Sequence, residues 1–441
     1  MAEARAEPGV TRNLYDLLTG DEDARVCRDI PEEACREQPR NFFMHIASLV
    51  ATKTGDLLSS PKVVLSWLLI NVGAPGFMLG FLVPVRESLA LLPQLFVAGY
   101  IRRVSVRKWF WVVASVVEGF AIAAMAAVAV TMRGAAAGWS ILALLVVFSL
   151  ARGVASIADK DVLGKTISKS RRGMASGYAS SLAGAIAVAT GLFWLFIAPN
   201  RQGAAFFATL LGAAGALWIL AALLFSRIVE YAGATEGGGN AFTEAVRQLA
   251  LIRRDRDLRQ FLIVRTLLLS TALAAPFYVA LASRESGGAV SRLGALLIAS
   301  GAAGFVSAPV WGRLSDRSSR RTMSAAALLA AVAGFFTVAV SWTEGLPYSA
   351  VWLTLTYFLL NVAHEGVRVG RKTHLIDIAT VKTRASYVAV SNTIIGVMLL
   401  AGSAFGGLVS IAGPAVAVLV LSVVSLAASA AALRLEEAQQ P

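Results

Sequence analysis

Five ionisable side chains interrupt apolar runs long enough to cross a bilayer: Glu118, Arg152, Arg265, His364 and Glu365. A charge at membrane depth is costly, so a chain that keeps one there uses it or pairs it. Desolvation favours the neutral form of a carboxyl, and a neighbouring arginine favours the charged one. A carboxyl–arginine pair can therefore tip with conformation and carry a proton. Glu118 and Arg152 lie on consecutive antiparallel runs. At 1.5 Å per residue they sit about 14 Å and about 10 Å from the same membrane face, within side-chain reach of each other. They are the first proton-coupling candidates, and Glu365 is the third. A static pair that only holds helices together is the alternative. Arg152 and Arg265 also suit an anionic solute, because a planar guanidinium binds carboxylates and phosphates bidentately. Asn71, with Arg265, His364 and Glu365, completes the polar set inside these runs. The plainer readings are that Arg265 snorkels, that His364 and Glu365 are interfacial, and that Asn71 bonds a neighbouring helix.

The elements that must position these residues follow from composition. The chain has 441 residues, 57% hydrophobic and 15% charged, with mean hydropathy +0.67. That is the balance of a membrane protein. Twelve apolar segments are expected, at roughly 63–84, 88–102, 109–131, 139–157, 174–198, 204–226, 260–282, 292–311, 322–342, 347–366, 385–409 and 412–433. The net charge of +13 does not indicate nucleic acid, since the basic residues cluster in short tracts between these segments. Loops on one side carry 24 Lys and Arg, from Arg102 to Arg384, and those on the other carry 5: Arg86, Arg133, Arg201, Arg284 and Arg292. The positive-inside rule then places both termini in the cytoplasm.

Residues 1–60 read as a cytoplasmic tail ending in an amphipathic helix over 41–60, because Lys53 and Asp56 interrupt that run. The rival reading is a thirteenth span. Two six-helix bundles follow, at 61–227 and 259–434, joined by a cytoplasmic linker over 228–258 that contains "EGGGN" (Glu236–Asn240) and a basic helix; residues 435–441 form a tail. The halves look repeated. "GAPGF" (Gly73–Phe77) echoes "AAPFY" (Ala274–Tyr278), and Lys165-Thr166 echoes Lys372-Thr373. Parallel six-span repeats are one architecture of secondary transporters. Cys27 and Cys35 form no secreted framework or zinc spacing, and no signal peptide opens the chain.

"GRLSDRSSRR" (Gly312–Arg321) falls between the eighth and ninth segments. It resembles the loop signature of the major facilitator superfamily: Gly, three residues, Asp-Arg, one residue, usually Gly, then two basic residues. Ser319 stands at the second Gly. The first copy, "GYIRRVSVRK" (Gly99–Lys108), six segments earlier, is degenerate: Gly99, Arg107 and Lys108 keep register, and Arg103 occupies the Asp position. The resemblance covers roughly residues 60–434. It implies an all-α membrane fold of twelve helices in two pseudo-symmetric bundles, with the first, fourth, seventh and tenth spans lining a central cavity, so that Asn71, Arg152, Arg265, His364 and Glu365 are the residues it implies along the substrate path. It also implies a latch, formed by Gly312, Asp316, Arg317, Arg320 and Arg321, that closes the cytoplasmic side in the outward-facing state. Physically, Gly312 would permit close helix approach, and Asp316 would accept from a helix N-terminus and pair with Arg317 or Arg320. Arg152 matches the Arg of the family's fourth-span signature, with Ala155 at its usual Gln. The fifth-span Gly-Pro antiporter signature is not visible.

Other chemistry is thinly represented. "DVLGKT" (Asp161–Thr166) ends like a phosphate loop but lacks its first Gly and its strand, three scattered histidines form no metal spacing, and no nucleophile elbow occurs. The expectation is a non-enzymatic, cofactor-free, monomeric permease of a bacterial inner membrane. It moves a small solute by alternating access with H⁺ as coupling ion, and an efflux permease for an anionic or amphiphilic compound is one form of it. The alternatives are an exchanger needing no proton and a transporter-like scaffold or sensor.

Overall fold

A computed structural model describes residues 10–19, 30–92, 97, 100–101, 103–196, 203–233, 252, 255–285, 290–343, 346, 349–379 and 384–437. Among these, every regular element is helical. The linker motif Glu236–Asn240, most of the basic helix after it and Gly99 lie outside the described residues.

Two short helices, α1 (Val10–Thr19) and α2 (Glu32–Arg36), precede the bundle. The first passage is α3 (Gln38–Leu58) continued by α4 (Val64–Asn71), and the second begins with α5 (Leu79–Leu91). Passages three to six are α6 (Lys108–Thr131), α7 (Gly134–Thr166), α8 (Lys169–Phe196) and α9 (Ala204–Ser226). The seventh is broken into α10 (Arg256–Leu267), α11 (Ser270–Leu273) and α12 (Ala275–Glu285). Passages eight to twelve are α13 (Val290–Arg317), α14 (Ser319–Trp342), α15 (Ser349–Asp377), α16 (Arg384–Gly402) and α17 (Phe405–Ala432). Among the described residues, eight of the passages are long and apolar enough to cross a membrane by length and composition alone.

This corrects the expected start of the bundle. Residues 38–58 do not lie outside it, and among the described residues they add no thirteenth passage. Instead α3 packs against α8 and α9 and is the first half of passage one. Its polar residues are satisfied inside: Asn41 bonds both N–H and C=O of Val229, His45 Nε2 lies 2.9 Å from Thr166 Oγ1, and Gln38 accepts from the Ser168 N–H at 2.8 Å. Pro61 separates α3 from α4, since it supplies no N–H and disfavours helix at the residue before it. Ser59 Oγ donates to Gly55 O at 2.7 Å and Ser66 Oγ to Pro61 O at 2.8 Å, covering carbonyls near the break. The segment read as 63–84 is thus the end of passage one, a turn through Gly73 (φ +74°) and the start of α5. Pro75 sits in that turn, whereas Pro276 lies inside passage seven, so the proposed echo does not mark equivalent positions. Cys35 is disulfide-bonded, against the expectation of no disulfide framework.

Packing repeats between the halves. α6 lies on α9 as α14 lies on α17, and α5 lies on α7 as α13 lies on α15. Two seams join the halves, α5 with α16 and α8 with α13. At the face opposite the N-terminal tail, glycines close both. A Cβ on Gly80 would sit 2.4 Å from the Gly406 Cα, and one on Gly191 would sit 2.5 Å from Ile298. Along α8 toward the tail face the seam opens: Gly301 finds Ala187 at 3.7 Å, and Gly184, Gly177, Gly304 and Gly312 have nothing within 4 Å. Along α8 and α13 the halves therefore meet at the far face and part toward the tail face, while α5 and α16 stay in contact at Ser88 and Gly396; the cleft between the parted helices is called the cavity below.

Candidate functional site

At mid-depth a single carboxylate is shared by two guanidiniums. Asp56 Oδ1 accepts from Arg86 Nη2 at 2.9 Å, and Oδ2 accepts from Arg152 Nη2 at 2.8 Å. Three passages supply the trio: α3, α5 and α7. Each guanidinium also lies over an aromatic face, Arg86 over Phe148 at 4.8 Å and Arg152 over Trp218 at 5.0 Å, and the two rings meet edge to face. Such stacking suits arginine's flat, weakly hydrated cation. Trp218 reaches this position because Gly55 has no side chain; a Cβ there would come within 2.8 Å of the indole nitrogen.

Glu118 lies behind the trio, wholly buried, with neither carboxylate oxygen hydrogen-bonded. The expected Glu118–Arg152 ion pair is not formed. Arg152 is turned to Asp56, and Glu118 remains within electrostatic range of it. Helical spacing adds Lys53 three residues before Asp56, and Asp159 seven after Arg152, to the same partly exposed faces. Lys53 Nζ donates to Ser180 Oγ at 2.9 Å.

Across the cavity, α15 presents His364, Glu365, Arg368 and Arg371 at spacings of one, three and three. Glu365 pairs with Arg368 at 2.5 Å. His364 links the two halves: Lys62 Nζ is 3.1 Å from its Nε2, and Thr271 Oγ1 is 3.0 Å from its Nδ1. An ammonium has only protons to give, so Nε2 accepts and Nδ1 carries the hydrogen. The Thr271 hydroxyl then accepts from Nδ1–H and passes its own proton to Leu268 O at 3.0 Å. The result is one directed chain from passage one through passage ten to the break in passage seven. His364 is thus not merely interfacial.

The remaining predicted residues divide. Arg265 is 8% exposed and donates to Ser391 and to Asn392 Oδ1, so it points inward and does not snorkel. Asn71 ends α4, exposed at the far face, away from the charged cluster. Arg86 and Glu87, assigned to a loop by sequence, fall inside α5. Asp56, Lys53, Lys62 and Arg86 were missed. The signal was present as the i, i+3 pair of charges in "KTGD" and as "RE" in "PVRES".

The latch residues are apart in this state. Asp316 and Arg317 are exposed, and Asp316 has no ion-pair partner among the described residues. Gly312 faces open space, where close helix contact was expected. Ser318, not Asp316, caps α14 by accepting from the Arg321 N–H. Glu437 accepts from Ser318 Oγ at 2.8 Å and pairs with Arg320 at 2.9 Å. The degenerate copy is tied more tightly. Glu230 accepts from the backbone N–H groups of Arg107 and Lys108 and pairs with Lys165 at 2.8 Å. Arg107 also pairs with Asp161 at 3.0 Å. Arg227-x-x-Glu230 and Arg434-x-x-Glu437 stand at matching places after passages six and twelve.

Residues 260–441 match the family model described as Major Facilitator Superfamily. No curated protein matches the chain in sequence. Among solved structures the fold is similar to that of a D-xylose-proton symporter, with TM-score 0.68 and 12% identity over 90% of this chain and 98% of that one. The inward-open xylose transporter XylE from E. coli gives TM-score 0.64 at 12% identity, over 89% and 95%. A POT family transporter in complex with 5-aminolevulinic acid gives TM-score 0.69 at 11% identity, over 92% and 98%. The family's sequence pattern thus lies in the C-terminal half of the chain, and the fold is the one these solved transporters share, across nine tenths of its length.

Proposed function

We propose that this protein is a proton-coupled secondary transporter whose coupling carboxylate is Asp56. The observation that carries the reading is the position of that carboxylate, gripped by Arg86 and Arg152 at the cavity wall with unpartnered Glu118 behind. In this state two guanidiniums hydrogen-bond the Asp56 carboxylate and balance its charge. When the halves rock and α5 or α7 shifts, a contact lengthens and the carboxylate takes a proton. Glu118, lacking any hydrogen-bond partner, is placed to share that proton. Two conformations that differ in proton affinity are what coupling requires. One similar structure carries the name of a proton symporter, which supports the reading.

The division into halves that fits the packing is 38–233 and 255–437, and the charge asymmetry supports a cytoplasmic tail face in a bacterial inner membrane. The cavity is then inward-open, and the separated Asp316 fits a latch released in that state. An anionic or amphiphilic solute suits the surplus of cations at the cavity. Asp56→Asn tests the reading in reconstituted vesicles. It is expected to abolish accumulation driven by a pH gradient and to leave solute exchange intact. Undiminished accumulation in that variant would retire Asp56 as the coupling group. Absence of any solute flux from wild-type vesicles would favour a scaffold or sensor instead.

A further inference from the structure

The ionisable groups around the cavity fall into two sets that differ in their proportion of acids to cations. On the first wall, Lys53, Arg86 and Arg152 face three acids, Asp56, Glu118 and Asp159. On the second, the four cations Lys62, Arg265, Arg368 and Arg371 face two acids, Glu87 and Glu365. Glu365 is committed to Arg368. No carboxylate lies within 4.0 Å of Lys62, Arg265 or Arg371 among the described residues. Their partners are neutral: His364 for Lys62, and Ser391 and Asn392 for Arg265. Arg265 is over nine-tenths buried and its Nε has no partner. Arg371 stands within electrostatic range of both other cations, so the three form one group.

Two uncompensated positive charges at membrane depth are a standing cost, unless what enters the cavity removes it. We propose that the cavity takes a solute carrying two negative charges, anchored by Lys62, Arg371 and Arg265. The proposal rests on reading the cavity as a transport path. A compact dicarboxylate and a phosphate monoester share this chemistry, and both suit two guanidiniums and an ammonium. Binding would also compete with His364 for Lys62. That would loosen the hydrogen-bonded chain joining passages one, seven and ten, and couple occupancy to movement of the halves.

The test is calorimetric titration of the purified full-length protein at neutral pH and low salt. Succinate and glycerol 3-phosphate serve as the dianions, lactate as the monoanion and glycerol as the neutral control. Saturable binding of one dianion, at least tenfold tighter than lactate, is expected, and the arm that binds tells dicarboxylate from phosphate ester. Lys62→Gln and Arg371→Gln should each weaken it at least tenfold, and Arg371→Lys should restore part of the loss, with monodispersity on size exclusion confirming folded variants. No dianion binding, lactate or glycerol bound as well as the dianions, or affinity unchanged in both Gln variants would overturn the proposal. Flux measurements separate the two readings. Dianion binding without flux in vesicles would leave the ligand class standing and defeat transport, whereas flux confined to neutral solutes would do the reverse.

Discussion

The two latch regions at the tail face are built alike and held differently. In the N-terminal half, the Glu230 side chain is fully buried, caps the start of α6 through two backbone N–H groups and pairs with Lys165. In the C-terminal half, Glu437 is 29% exposed, receives Ser318 and pairs with Arg320. The same Arg-x-x-Glu device thus serves as a fixed brace in one half and a solvent-washed clasp in the other. Signature and burial trade places: the half that keeps the Asp of the loop motif leaves it exposed, and the half that lost it has a buried acid from elsewhere. The charged walls of the cavity differ too: one has two arginines paired to Asp56, and the other has Lys62, Arg265 and Arg371 with no ion pair among the described residues.

The comparison breaks most visibly in transport. Arg152→Gln frees one side of Asp56, and its expected cost is at least tenfold in proton-driven uptake. Asn71→Ala, at the exposed end of α4, should change uptake less than twofold. Vesicle uptake under an imposed pH gradient checks both. Equal losses would mean that the charge trio has no special place.

Stability separates the two braces next. Removing one partner of a buried, hydrogen-bonded pair costs about 3–5 kcal/mol, so Glu230→Gln should destabilise the protein severely. An exposed pair contributes about 0–1 kcal/mol, so Glu437→Gln should shift thermal unfolding little. Similar unfolding temperatures for the two variants would contradict the contrast in burial.

The seams give a conformational version of the contrast. Gly80→Val drives a side chain into the Gly406 backbone, so it should force the far face apart and raise the labelling of a cysteine placed there. Gly312→Val meets open space in the present state and should leave that labelling unchanged. Its effect belongs to the closed tail face, as slower turnover. Unaltered far-face labelling in Gly80→Val would argue against a glycine-closed seam.

The smallest expected effect concerns the tether between passages seven and eleven. Asp255 caps α10 by accepting from the Leu258 N–H at 2.9 Å and also accepts from the Tyr387 hydroxyl. Burial pushes its carboxyl up, but the hydrogen bonds from Tyr387 and from the N–H groups of Leu258 and Asp257 pull it below its ordinary 3.8. A depressed carboxyl contributes stability above its unfolded pKa and loses it as the pH falls through the folded one. Tyr387→Phe should therefore cost under about 1 kcal/mol near neutrality, discounted for exposure. The difference should vanish once the pH drops below that range. A gap that persists in acid would point to lost packing instead.

Much of the architecture was legible because apolar length and loop charge are averages over many residues. The loop motif at Gly312–Arg321 added the fold class. What the sequence hid was hidden by the same averaging. α3 buries one face in the bundle and leaves Lys53 and Asp56 partly exposed on another, so its mean hydropathy is that of a surface helix. Arg86-Glu87 resembled a loop for the same reason. Glu118 and Arg152 were visible as isolated charges in apolar runs. Their mutual pairing was inferred from depth alone, and depth does not give azimuth around a helix. Asp56, on a helix not counted as spanning, was the better partner.

The most direct test of Asp56-based coupling is to watch protons move with the solute. Sealed vesicles containing the purified protein and a trapped pH-sensitive dye would be given a transported solute under clamped membrane potential. Wild-type protein is expected to change the internal pH in step with solute movement, and Asp56→Asn to move solute by exchange with no pH change. Solute-dependent pH changes of equal size in both proteins, or solute movement without any pH change in wild type, would contradict the account.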